Sequence, residues 1–394
     1  MPISERLQQL GSGVFARMDG RKRAYGSSAA ALAQPLIDLS LGSTDLQPPP
    51  RVLEAIAAQL GAPASAAYCL HGATLPFREA VAAWVQRRFQ LTVDPETEVL
   101  LLVGSQEGTA HLPLALLNPG DKALVLDPCY PSHRAGVLLA GADPYPLRLE
   151  ASDGWRPCFE RLPASLQAQL KLLVLGYPHN PSATTGCQAW LDEALALADR
   201  SGAVIAHDNP YVDLSLEGEA PALLRCSGWR RNGIEFFSLS KGWCLGGFRL
   251  AFAVGAAPLI EALAKLKAVV DFNQSLALQA GASTALGEAA DWPARLRPIY
   301  RQRRDVMAAA LTRGGWQVPL SSMALYLWLP LPERLAPMAS EAACAWLLER
   351  SGVALTPGIG FGPGGEGWMR LALVAEPPQL LEAAARLDYA VNSG

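Results

Sequence analysis

The 394-residue sequence predicts an α/β fold, with a mostly parallel seven-stranded sheet held between helices and a smaller α+β domain beside it. Three observations predict it. Short apolar runs alternate with amphipathic stretches long enough to be crossover helices. That rhythm changes at Pro258, after which helices dominate and later strands are widely spaced. Half of the residues are hydrophobic and 18% are charged, against about 25% in an average soluble protein, so a large core can be filled.

Residues 1–35 form a polar to Ala-rich lead-in that ends at Pro35. Ile37–Leu41 is a short apolar stretch, followed by Gly42-Ser43-Thr44-Asp45 and the break Pro48-Pro49-Pro50. Strands are expected at Val99–Val103, Ala123–Leu126, Pro144–Leu149, Leu172–Leu175, Val204–Ala206, Ile234–Leu239 and Leu250–Val254, and together they make one sheet covered on both faces. Gly108–Leu117, Ser132–Ala140 and Ala189–Arg200 are crossover helices between them. Residues 259–288 read as helix with one or two interruptions, and Trp292–Arg313 as a long Arg-rich helix. Leu325–Leu329, Val353–Leu355 and Trp368–Leu373 are then expected as strands of a smaller mixed sheet, with helices at 340–350 and 377–390. The implied organisation is an N-terminal arm, 1–45, contributing to a small domain completed by 290–394, and a large domain over 46–289.

A net charge of −3 argues against nucleic acid or an anionic membrane as a main partner. The seven cysteines are scattered, with no C-x-x-C pair, and give neither a zinc site nor a disulfide framework; no metal is expected. Met1-Pro2-Ile3-Ser4-Glu5-Arg6 carries charge too early for a signal peptide, and no apolar run approaches the ~20 residues that span a bilayer, so the expected location is cytoplasmic.

Candidate chemistry sits at strand ends. Ser238-Leu239-Ser240-Lys241 closes one strand, and Gly246-Gly247-Phe248-Arg249 follows. A lysine there is by itself more often a solvated loop residue, but burial would depress its pKa and suit it to Schiff-base chemistry. Asp208-Asn209-Pro210-Tyr211 and Tyr177-Pro178-His179-Asn180-Pro181 end two further strands, and each alone is only a turn signal. Three such loops at carboxyl ends, however, lie where open α/β sheets bind ligands. Gly104-Ser105-Gln106-Glu107-Gly108-Thr109 joins a strand to a helix whose N-terminus suits a phosphate. It lacks the G-K-[ST] of a P-loop, and no G-x-G-x-x-G follows a strand.

In this order the motifs resemble those of the class I/II aminotransferases, the fold-type I pyridoxal-phosphate (PLP) enzymes, from Ile37-Asp38-Leu39-Ser40-Leu41-Gly42 to Trp368-Met369-Arg370. Spacings match too: 28 residues from Asn180 to Asp208, 3 from Asp208 to Tyr211, and 8 from Lys241 to Arg249. The resemblance implies that Lys241 holds PLP covalently and shuttles the substrate proton. It implies that Asp208 pairs with the pyridine nitrogen, that Asn180 and Tyr211 bond the phenolate oxygen, and that Tyr130 stacks on the ring. Ser105, Gln106, Ser238 and Arg249 would hold the phosphate. Arg370 would grip the substrate carboxylate, with Gly42 and Asn180 completing the substrate site. Tyr68 resembles the tyrosine that reaches a neighbouring subunit's phosphate, so a homodimer with shared active sites is expected.

The family's usual Asn-Pro-Thr-Gly reads Asn180-Pro181-Ser182-Ala183 here, a form that resembles the alanine and diaminopimelate aminotransferase branch. No arginine lies at 271–275, which disfavours strict aspartate specificity. The expected reaction is ping-pong transfer between an amino acid and a 2-oxo acid, with LL-diaminopimelate or alanine paired with glutamate and 2-oxoglutarate. The rival readings are a PLP-dependent C–S β-lyase and a non-catalytic regulator on the same fold.

Overall fold

The computed structural model describes residues 3–10 and 13–393. Met1 and Pro2, on which part of the leader-peptide reading falls, lie outside the described residues. The strands are β1 (Ile37–Asp38), β2 (Val99–Val103), β3 (Lys122–Asp127), β4 (Asp143–Arg148), β5 (Leu170–Leu175), β6 (Val204–Asp208), β7 (Gly233–Ser238), β8 (Leu250–Gly255), β9 (Tyr326–Pro330), β10 (Val353–Ala354), β11 (Thr356–Pro357) and β12 (Trp368–Ala372).

Seven of them form one sheet in the order β2-β8-β7-β6-β5-β3-β4. The Val/Leu runs of β2, β3 and β5 suit burial on both faces, whereas edge strand β4 is mostly exposed. Leu101, Leu124, Leu173 and Ile205 join one apolar cluster, and Leu102, Val125, Val174 and Ala206 join another on the opposite face. That is the two-residue alternation of a strand. Only β8 runs against the rest of this sheet, pairing antiparallel with β2 and β7. Its start therefore lies at the same edge as the carboxyl ends of its neighbours, and Arg249, one residue before it, is carried there.

The three helices foreseen between strands run Ser105–Leu116, Pro131–Leu139 and Gln188–Ser201. The first begins three residues earlier than its apolar pattern suggests, because Gly104 and the small polar residues after it form its first turn. Residues 259–288 resolve into helices Ala257–Val270 and Leu276–Leu286, and Trp292–Arg313 is one helix.

One element is unforeseen and one expectation needs correction. The lead-in contains a helix, Val14–Gly26, whose weak apolar periodicity hides it. The smaller sheet is not mixed: β11, β12 and β9 are antiparallel, and Val353–Ala354 pairs instead with β1 as a separate parallel ribbon. The run Val353–Leu355 is read as one strand from its apolar character, but the chain leaves that ribbon at Leu355 to enter the other sheet. Leu39 then wedges between the two, its N–H donating to Ala354 and its carbonyl accepting from Ala372. This wedge brings the segment around Ser40 and Gly42 to the strand that bears Arg370.

Candidate active site

Eleven of the twelve residues singled out above line one cavity of about 1010 Å³ at the carboxyl edge of the large sheet. Tyr68 does not. It is 84% exposed and packs its ring 5.3 Å from Phe272, beside exposed Leu70, Val269 and Val270.

The cavity floor comes from the ends of β5, β6 and β7. Asp208 is buried, its Oδ2 lying 3.1 Å from His133 Nε2, while its Oδ1 has no hydrogen-bond partner. Ser238 caps a single turn, Leu239–Gly242, by accepting from the Ser240 N–H. That turn presents the Lys241 amine, which donates to the Gly42 carbonyl. The loop after β5 is pinned by His179, whose ring nitrogens bond Ser182 Oγ at 2.7 Å and the Pro128 carbonyl at 3.1 Å. Burial holds the His179 pKa down at about 3. Asn180 Oδ1 accepts from Arg370 at 2.8 Å.

At the opposite wall the helix Ser105–Leu116 points its N-terminus inward, where the first N–H groups have no intrahelical acceptor. Gly104 precedes it at φ +81°, and a Cβ there would stand 2.1 Å from Arg249 Nη2. Glycine is thus required twice over, for the backbone angle and for the guanidinium that lies against it. Tyr130 donates to Gln106 Oε1 at 3.0 Å, tying the loop after β3 to this helix. Behind the helix, buried Lys267 bridges Glu107 at 3.1 Å and Asp271 at 3.1 Å.

The third wall holds Arg370 between two rings, 4.2 Å from the Tyr326 centroid and 4.8 Å from that of Phe361. It also donates to the Ser40 carbonyl at 3.0 Å, and its Nε is buried without a partner. Phe15, from the unforeseen N-terminal helix, lines the mouth and packs edge-on against Phe361.

Sequence reasoning missed Phe15, His133, His179, Tyr326 and a pair one layer deeper. His133 lies one helical turn beyond Tyr130, and a search for polar residues at that spacing could have found it. Tyr326 is the lone hydroxyl in the apolar run Ala324–Leu329, a weak signal. The deeper pair is His207 and Glu235, neighbours in the β6–β7 register and both fully buried. Glu235 accepts from His207 Nδ1 and Asn209 Nδ2, each at 2.8 Å, and from the Leu224 N–H at 3.0 Å. His207 Nε2 accepts the Tyr177 N–H at 3.1 Å, so its ring proton sits on Nδ1, facing Glu235.

An anion cup, an amine, an unpaired carboxylate oxygen and an arginine with donors to spare thus face one space. This set can hold a phosphorylated, cationic ring and a carboxylate substrate at once. The family model for class I and II aminotransferases matches residues 34–387. The chain belongs to that family, whose members use PLP, and it is an aminotransferase. It is 34% identical over 388 residues to LL-diaminopimelate aminotransferase of Desulforudis audaxviator, covering 98% of this chain and 96% of the relative. Among solved structures, a probable N-succinyldiaminopimelate aminotransferase from Thermus thermophilus is 40% identical with TM-score 0.89, covering 96% of this chain and 100% of that one. Substrate-bound BacF from Bacillus subtilis is 29% identical with TM-score 0.93, covering 98% of each chain.

Proposed function

We propose that this aminotransferase binds PLP in the cavity through Lys241 and transfers the amino group of a diaminopimelate-type amino acid to 2-oxoglutarate. The observation that carries the cofactor reading is the Asp208 carboxylate, buried at the cavity floor with Oδ1 unpartnered. A buried carboxylate oxygen without a partner is costly, and a pyridinium N–H⁺ would satisfy it. The inward helix N-terminus, Ser238 and Arg249 fit a phosphate dianion. Asn180 and Tyr211 fit the ring's phenolate oxygen, and Tyr130 its face.

When bound, PLP supplies the electron sink that acidifies the Cα proton of an amino acid. The protein supplies the remainder. Arg370 binds the α-carboxylate, with its guanidinium already oriented by Asn180 and the Ser40 carbonyl. The Gly42 N–H adds a donor to the same carboxylate. The Lys241 amine takes the proton from Cα and returns it at the carbon that has received the amino group. Asp208, held by His133, keeps the ring nitrogen protonated.

The diaminopimelate assignment is supported by the relatives at 34% identity, each named LL-diaminopimelate aminotransferase. An N-acylated diaminopimelate is the second reading, favoured by the 40% identical Thermus thermophilus structure. Adding amino acids one at a time without an acceptor, and watching the cofactor's visible absorption fall, tests all readings together. A response to LL-diaminopimelate and glutamate is expected. A response confined to alanine and glutamate overturns the substrate assignment, and one confined to the succinylated compound and glutamate selects the second reading. Ammonia and pyruvate released without a 2-oxo acid would instead establish a β-lyase.

The exposed apolar group of Tyr68, Leu70, Val269, Val270 and Phe272 supports a homodimer in which Tyr68 serves the neighbouring phosphate. Sedimentation of the holoenzyme as a monomer would sink that reading. The β1–β10 pairing supports the division into 1–45 with 290–394 as a small unit and 46–289 as a large one.

A further inference from the structure

Tyr326 lines the cavity with no task in the chemistry above, yet it touches three groups that do have one. It stands on β9 directly across from Ala372, two residues beyond Arg370. The Arg370 guanidinium lies over its ring, 4.2 Å from the centroid. Its hydroxyl is 3.1 Å from the Tyr211 hydroxyl. Its edge fills the space beside Gly42, where a Cβ would come within 1.8 Å of the phenol oxygen. Gly42 is in turn the residue whose carbonyl takes the Lys241 amine.

We propose that Tyr326 is a positioning residue with two separable tasks: its ring is the shelf that sets Arg370 for the substrate carboxylate, and its hydroxyl aims the proton of Tyr211 into the cavity. Both tasks rest on the roles given to Arg370, Tyr211 and Lys241 in the proposed function.

The ring argument is geometric. Arg370 has five N–H donors, of which one goes to Asn180 and one to Ser40. Its Cζ lies 4.2 Å from the Tyr326 centroid and 4.8 Å from that of Phe361, so the two rings crowd the guanidinium and limit its swing. A carboxylate needs the guanidinium in a fixed plane to be held by two parallel bonds.

The hydroxyl argument is one of proton count. A phenol has one proton, so while the hydroxyl–hydroxyl bond stands, Tyr211 can donate to a ligand only as the acceptor in that bond. Tyr326 is the neighbour within reach. Burial pushes the Tyr211 phenol well above its ordinary pKa. Burial pushes Tyr326 up as well, but Arg370 foremost, then Lys241 and the bond to Tyr211, bring it below its ordinary value. The Arg370 guanidinium, 4.2 Å from the Tyr326 ring centroid, favours Tyr326 as the donor of this pair, which leaves the Tyr211 proton for the cavity.

Two holoenzyme variants separate the tasks. Tyr326→Phe keeps the shelf and loses the hydroxyl. It should raise the pH midpoint of the visible absorption of the lysine-bound cofactor by up to about half a unit, because Tyr211 keeps its proton but loses the donor that polarises it. Its affinity for maleate, an unreactive dicarboxylate, should stay within about twofold of wild type. Tyr326→Leu loses both features and should add about a tenfold loss of maleate affinity. A Tyr326→Phe midpoint equal to that of wild type overturns the hydroxyl task. Unchanged maleate affinity in Tyr326→Leu overturns the shelf. Failure of the underlying reading looks different: wild type would develop no visible band with PLP, or Arg370→Lys would bind maleate as wild type does.

Discussion

Two groups of buried polar side chains share the ends of β6 and β7, and they are finished to different degrees. His207 and Asp208 are consecutive on β6, so they face opposite sides of the sheet. On the His207 side both ring nitrogens are used and the Glu235 carboxylate accepts three hydrogen bonds, with only Asn209 Oδ1 left over. On the Asp208 side one carboxylate oxygen, the Arg370 Nε and one His133 nitrogen have no partner. The first group is complete in the protein alone but for that one oxygen. The second is complete only with something in the cavity. Satisfied buried groups hold structure, and unsatisfied ones mark where a ligand belongs.

This contrast can be broken by moving one residue on each side. Lys241→Ala should lose the visible cofactor band and cut turnover by about 10⁴-fold or more, yet leave unfolding of the cofactor-free protein within about 1 kcal/mol of wild type. A variant that keeps both band and turnover would refute the lysine assignment. Glu235→Leu should do the reverse. It strands the donors of His207, Asn209 and Leu224 and should lower the unfolding free energy by about 3–5 kcal/mol in denaturant titration. A loss below about 1 kcal/mol would erase the distinction between the two groups.

His179 sharpens the comparison through pH. Its folded pKa is about 3, below the ordinary 6.5, so the unfolded chain binds a proton that the folded one refuses. Stability is therefore fully present above pH 6.5 and falls as pH drops towards 3, by at most about 1.4 kcal/mol per unit. His179→Gln should flatten that part of the profile, read from denaturation midpoints between neutral pH and pH 4. An unaltered slope would mean that another group controls it. The smallest effect belongs to Tyr68→Phe. In the proposed dimer it should weaken PLP binding by about fivefold, the worth of one exposed hydrogen bond. Equal affinity in the two proteins would count against a shared site.

The line between what the sequence discloses and what it hides follows from where contacts come from. Lys241, Asp208 and Asn180 stand at strand ends, and adjacent strands bring such ends together without further information. Arg249 reaches the same edge because β8 reverses direction, a pairing consistent with the short connection after Lys241. His207 and Glu235 are invisible for the opposite reason: each lies inside an apolar strand, and only the register sets them side by side. Tyr326 requires more still, since its neighbours Gly42, Tyr211 and Arg370 come from three distant segments. Val353–Leu355 misleads because an apolar run does not say which of two sheets it joins. The helix Val14–Gly26 is hidden by its polar composition.

The wedge at Leu39 also imposes an order of manufacture. Within one subunit, the residues that would grip the phosphate and ring, from Ser105 to Arg249, leave the ribosome in one continuous stretch. The carboxylate grip needs Leu39, among the earliest residues made, to wait until Ala354 and Ala372 emerge on either side of it. A growing chain can therefore complete its own share of the proposed cofactor cup before the proposed carboxylate grip can close.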